Sequence, residues 1–70
     1  MEWKDFIEKA QKTHEIEILG ENSIFSKKCG LIFRKDGIIV LDNSDNKWNT
    51  LAVDRTFDQM IKILDLLENE

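Results

Sequence analysis

The first apolar residues of the chain recur at helical spacing. The stripe consists of Trp3, Phe6, Ile7 and Ala10. The steps of three and four residues place all four on one side of a helix, and charged residues fill the other side. The pattern therefore predicts an amphipathic helix over residues 3–12.

A second helical pattern occupies the end of the chain. Thr56 and Gln59 have the spacing of a capping box, which satisfies free backbone N–H groups at a helix start. The apolar stripe that follows consists of Phe57, Met60, Ile61, Leu64 and Leu67. Ile63 and Leu66 make this stripe wider than packing on one sheet face requires, which suggests an additional contact.

Between the two helices the period changes to that of strands. Residues 14–18 alternate polar and apolar, which is typical of a half-buried strand. A second strand is predicted from about Ile24 or Gly30 to Lys35, with Gly30 as a bulge or break. Asp36-Gly37 separates two apolar runs and favours a hairpin with a two-residue loop. After a turn cluster, residues 48–53 are predicted to return as a short fourth strand.

These elements predict one α+β domain over residues 1–70. It consists of a three- or four-stranded antiparallel meander with a helix at each end.

A two-residue Asp36-Gly37 loop predicts the hairpin register. It places Lys35 opposite Ile38, Phe33 opposite Val40 and Leu31 opposite Asp42 on one face. It places Arg34 opposite Ile39 and Ile32 opposite Leu41 on the other face. Both faces of the hairpin are then substantially apolar.

Two helix placements are consistent with a hairpin that is apolar on both faces. Each face could take one helix, and no apolar surface would then remain. Alternatively, both helices could lie on one face and leave either Ile32, Ile39 and Leu41 or Leu31, Phe33 and Val40 less covered. Such an apolar patch usually marks an interaction site. The second placement predicts a protein interface formed by Ile32, Ile39, Leu41, Asp42, Asp45, Ile63 and Leu66.

The charge balance weakens an alternative function in nucleic-acid binding. The formal net charge is −4, whereas phosphate neutralisation requires basic surfaces. A local basic patch is still predicted along the second strand from Lys27, Lys28, Arg34 and Lys35. It could serve a homodimeric regulator that contacts nucleic acid. The same residues could instead be solvated charges that protect a strand edge from aggregation.

Catalytic and metal-binding chemistry is poorly represented. Cys29 and His14 are the only cysteine and the only histidine, so neither an intrachain disulfide nor a zinc site of several such ligands can form. As a nucleophile and base they lack a third, orienting group. The sequence therefore predicts a protein that is not an enzyme and that needs no cofactor. With no apolar run of membrane-spanning length, we expect a cytoplasmic protein.

The layout resembles that of small phage-encoded anti-defence proteins, particularly the anti-CRISPR inhibitors. The shared features are a short first helix ending near Lys12, an alternating strand at residues 15–19, the Asp36-Gly37 hairpin and a last helix. The resemblance implies an inhibitor that acts in a bacterial host by contact with a larger protein. Such inhibitors often present acidic residues to a basic cleft that reads DNA.

The leading hypothesis is therefore a small protein-binding module. Its partner is a larger protein or a second copy of the same chain.

Overall fold

A computed structural model describes residues 1–42 and 48–68 of the 70-residue chain. The elements are α1 (Trp3–Thr13), β1 (Ile16–Ile18), β2 (Ser23–Ser26), β3 (Leu31–Arg34), β4 (Ile39–Asp42), β5 (Trp48–Ala52) and α2 (Phe57–Glu68). Each strand pairs antiparallel with the next one along the chain, in the order β1-β2-β3-β4-β5. The α+β class with terminal helices is confirmed, and the sheet has one strand more than the largest number predicted.

The additional strand arises because the predicted second strand is interrupted. Residues 27–30 form a turn between β2 and β3 rather than strand. Gly30 has a φ of 70°, and its N–H donates to the carbonyl oxygen of Ser26 at 2.8 Å. Glycine adopts this left-handed conformation without a side-chain clash, which allows the chain to reverse here. The predicted return strand after the turn cluster also forms, as β5.

The predicted register of the β3–β4 hairpin is wrong by one residue. The Arg34 N–H donates to the Ile38 carbonyl at 2.9 Å, and the Gly37 N–H donates to the Arg34 carbonyl at 3.0 Å. The loop therefore contains three residues, 35–37, and Gly37 has a φ of 88°. Three-residue hairpin loops often end in such a left-handed residue. The pairs are Phe33 opposite Ile39, Ile32 opposite Val40 and Leu31 opposite Leu41.

The corrected register separates the apolar residues of the hairpin onto two faces. The helix-covered face carries Ile16, Ile24, Leu31, Phe33, Ile39, Leu41 and Ala52, which pack together with residues of both helices. We call the opposite side the open face; it consists of Glu17, Ser23, Phe25, Ile32, Arg34, Val40, Asp42 and Thr50. Of the two placements that the sequence left open, the structure shows both helices on one side of the sheet.

An aromatic cluster joins the two helices to the sheet. The Phe6 ring centroid lies 5.3 Å from that of Trp3, 5.6 Å from that of Phe57 and 6.3 Å from that of Phe33. Phe6 and Phe33 are fully buried. Aromatic pairs at these separations contribute about 0.5–1.5 kcal/mol each beyond the burial of their area. Phe6 on α1 therefore contacts aromatic residues of both α2 and β3.

The first turn of α2 has the capping arrangement predicted from its sequence. The Thr56 N–H donates to Gln59 Oε1 at 2.8 Å, and the Gln59 N–H donates to Thr56 Oγ1 at 3.1 Å. This reciprocal pair satisfies two backbone donors that have no partner within the helix. Neither of the two described helices combines the length and the apolar character needed to cross a membrane.

The register can be tested at Gly37. A Cβ atom there would lie 2.9 Å from the Arg55 carbonyl oxygen, and the positive φ is unfavourable for any side chain. We expect Gly37→Ala to lower the free energy of unfolding by about 2–4 kcal/mol, since it combines a steric clash with backbone strain. Urea unfolding followed by circular dichroism measures the change.

Gly20→Ala is the matched control for that substitution. Gly20 also has a positive φ, of 73°, but no atom lies within 4 Å of the added Cβ position. We expect a loss of only about 1–2 kcal/mol, from backbone conformation alone. Equal losses at the two glycines would contradict the close contact between the hairpin loop and Arg55.

Candidate protein-binding surface

The centre of the open face is apolar. Ile32 and Val40 lie opposite each other on β3 and β4, and their exposed fractions are 7% and 8%. Both side chains are therefore buried, and they line a shallow depression of about 490 Å³. The rim consists of Leu19, Asn22, Ser23, Arg34 and Thr50. The depression thus combines an apolar floor with a largely polar rim.

The uninterrupted apolar runs of β3 and β4 explain why this floor exists. β3 and β4 form the middle of the sheet and contain consecutive apolar residues, so both of their faces are apolar. The helices bury one of these faces. Strands with two apolar faces usually lie between two layers, but the described residues provide a covering layer on one side only.

Two of the residues predicted for the interface are instead part of the core. Ile39 is 2% exposed, and Leu41 packs against the core cluster on the helix-covered face. Their placement on an accessible face was wrong because the two-residue loop assigned β4 to the opposite parity. Ile32 does lie on the open face. Val40 was missed there, although the alternative three-residue loop around Gly37 would have identified it.

The two predicted interface residues on α2 do not form one surface with Ile32. Ile63 is half-buried on α2 and packs against the core, whereas Leu66 on the same helix is 69% exposed. Asp42 is the last residue of β4, and Asp45 lies outside the described residues. Asp42 follows Val40 by two residues in β4, so its register position belongs to the open face together with Ile32.

The predicted basic patch is divided between two turns. Lys27 and Lys28 lie in the β2–β3 turn, whereas Arg34 and Lys35 lie at the opposite end of β3. The strand between them has four residues, which corresponds to a separation of about 10 Å or more. Two of these cations also have partners within the chain. Arg34 forms an ion pair with Asp36 at 2.8 Å, and Lys28 Nζ donates to the Glu68 carbonyl at 3.1 Å.

The two residues considered for catalysis have other surroundings. His14 is the C-cap of α1 rather than the start of a strand, and Cys29 lies half-buried in the β2–β3 turn rather than in a strand. The His14 ring contacts two carboxylates of α2: Nε2 lies 2.9 Å from Asp65, and Nδ1 contacts Glu68. Each of the two ring nitrogens faces a carboxylate of α2. The His14 ring is therefore oriented to hold α2 against the end of α1 rather than to activate the Cys29 thiol.

The arrangement around His14 differs from that of a catalytic triad and from that of a metal site. Ser26 Oγ donates to Glu68 Oε1 at 3.4 Å, so Glu68 lies between the serine and the histidine. In a catalytic triad the histidine must lie between the nucleophile and the acid. Asp65 and Glu68 contact opposite ring nitrogens and so cannot share one ion with the ring. Within residues 1–42 and 48–68, no cluster of three metal-ligating side chains occurs.

Comparison of the chain with protein-family models, with curated proteins and with solved structures finds no match. The resemblance to anti-CRISPR inhibitors therefore stays a prediction.

The role of the His14 contacts can be tested with two isosteric substitutions. The Glu68 side chain is 8% exposed and the Asp65 side chain 54% exposed. We expect Glu68→Gln to lower the free energy of unfolding by about 1–3 kcal/mol, because a shielded charge-assisted contact is lost. Asp65→Asn should cost less than about 1 kcal/mol, as is usual for exposed ion pairs. Denaturant unfolding that ranks Asp65→Asn as the more harmful change would contradict the assignment.

Proposed function

We propose that the protein is a small, non-enzymatic binding module that acts by contact with a larger protein, as an inhibitor or accessory factor. The observation that supports this proposal is the apolar floor of the open face. Ile32 and Val40 lie on the side of the sheet opposite both helices. These two side chains are buried, and the apolar side chain that is accessible at the same depression is Leu19, which is 40% exposed. An apolar centre within a polar rim is a common feature of protein interfaces.

The size of the open face favours one kind of partner. Five strands spaced about 4.8 Å apart and four residues of about 3.4 Å each give a surface of roughly 24 by 14 Å. This projected area, about 300 Å², is well below the roughly 800 Å² per partner that stable complexes bury. An α-helix about 10 Å wide fits within the 14 Å width, and about four turns of it, roughly 22 Å, fit along the 24 Å length. The proposed occupant is therefore an amphipathic helix of the partner protein.

The charge at the rim adds a further requirement. Arg34 is 46% exposed on the open face, and its contact with Asp36 is an exposed ion pair. Such pairs contribute only about 0–1 kcal/mol, so a carboxylate of the partner can replace Asp36 at little cost. The proposed helix thus carries an apolar stripe for Ile32 and Val40 and an acidic residue close to Arg34.

The double substitution Ile32→Thr with Val40→Thr tests the proposed surface. Threonine is β-branched and keeps the strand preference, while it removes apolar contact from the floor. A protein retained by the immobilised wild-type chain from a host extract would be purified and titrated against each variant by calorimetry. We expect at least tenfold weaker binding by the double variant, equivalent to about 1.4 kcal/mol.

Leu66→Thr is the matched control, since Leu66 is exposed on α2 and lies on the other side of the sheet. It should leave the affinity unchanged. Equal affinity of the double variant and the wild type, or a loss of affinity in Leu66→Thr, would contradict the proposal. Circular dichroism establishes that each variant is folded.

A further inference from the structure

β5 forms one edge of the sheet and has an unusual composition for an edge strand. It pairs on one side with β4, and no other described strand pairs with its second side. Its sequence is Trp48-Asn49-Thr50-Leu51-Ala52, which contains no charged residue. An unpaired strand edge presents free N–H and C=O groups, and these bind another extended backbone. The chemistry of the edge thus specifies a β-strand as its occupant.

The opposite edge, β1, is protected where β5 is not. β1 has three residues with Glu17 at its centre, and Glu15 precedes it. A short, charged edge discourages pairing. β5 has five residues, which makes it the longest strand described. Its one protective feature among the described residues is a bulge, where the register passes from Ile39–Ala52 to Val40–Thr50.

The bulge adds apolar surface to the edge. Leu51 is the additional residue at the bulge and is 55% exposed, and Val53, directly after the strand, is 53% exposed. Bulges increase the local twist of a strand. Here the bulge leaves two apolar side chains accessible beside the free backbone groups.

We propose that β5 pairs antiparallel with β5 of a second copy of this chain, so that two five-stranded sheets join into one. Antiparallel pairing of a strand with its own copy follows a twofold axis and closes after two chains, whereas pairing of β5 with β1 leaves a free edge at each end and continues into a ring or a fibre. In the β5–β5 pair, neither strand contains a charged residue. The alternative pairing with β1 would bring in the charge of Glu17.

The pairing area determines how strong the dimer is. One strand and two exposed apolar residues per copy bury less than the roughly 800 Å² per partner of a stable complex. The dimer is therefore reversible and depends on protein concentration. Because Thr50 lies beside Val40 on the open face, the dimer places two open faces next to each other. The inference is independent of the partner proposed for the open face.

Leu51→Lys and Leu66→Lys test this pairing as a matched pair, since both leucines are exposed and only Leu51 lies in β5. In sedimentation equilibrium, we expect the wild-type mass to rise with concentration from 8.2 kDa towards twice that value. Leu66→Lys should follow the wild type, whereas Leu51→Lys should stay at the monomer mass because a lysine protects the edge. Val53→Lys serves as a second edge variant if Leu51→Lys does not fold.

Three outcomes would overturn the inference. They are a wild-type chain that stays at 8.2 kDa up to its solubility limit, an edge variant that associates like the wild type, and a Leu66→Lys variant that loses association. Hydrogen exchange gives an independent readout. Amide exchange in β5 should slow as the protein concentration rises, and slowing in β1 instead would place the contact at the wrong edge.

Discussion

The register of the β3–β4 hairpin decides which apolar side chains pack beneath the helices and which stay on the open face. Neighbouring residues of a strand point to opposite faces, so a one-residue shift exchanges Ile39 for Val40 beneath the helices. The observed register depends on the three-residue loop and on the left-handed Gly37. The same glycine accepts a hydrogen bond from the Arg55 N–H at 2.9 Å, which ties the loop to the segment leading into α2. Loop geometry and helix position are thus fixed together.

The two helices pack on the same face of the sheet, so neither of them covers the open face. Small domains bury only about 60% of the surface that their unfolded chains expose. Here both helices pack on one face of the sheet, and Phe6 and Phe33 are fully buried in the core between the helices and the sheet. Polar contacts stabilise the helix ends. At the start of α1, Trp3 Nε1 donates to the Glu21 carbonyl at 3.0 Å, and His14 at the end of α1 contacts Glu68 at the end of α2. Because both helices pack on one face, neither of the two described helices covers the apolar residues of the open face. These residues form the proposed contact surface.

The sequence predicted the helices, whose signals lie within a few neighbouring residues. It did not predict the hairpin register, for which two loop lengths fit equally well, or the contacts between residues far apart in the chain. Helical spacing identified α1, and the Thr56–Gln59 pair identified the start of α2. The apolar run from Ile38 to Leu41 has no alternation, so it gave no means of choosing between a two-residue and a three-residue loop. Gly30 was predicted as a bulge or break, but the sequence did not show that residues 27–30 form a full turn between two strands, because Lys27 and Lys28 are compatible with either strand or turn. The contact of His14 with Glu68 joins residues 54 positions apart and has no local signal.

The most direct test of the open face is a methyl and aromatic nuclear Overhauser spectrum of the protein. In the account given above, Ile39 shares the core with Phe6 and Met60, while Ile32 and Val40 lie on the other side of the sheet. Cross-peaks should therefore connect Ile39 with Phe6 or Met60, and should connect Ile32 with Val40 without reaching either helix. Cross-peaks from Ile32 or Val40 to the side chains of α1 or α2 would contradict the register and remove the open face.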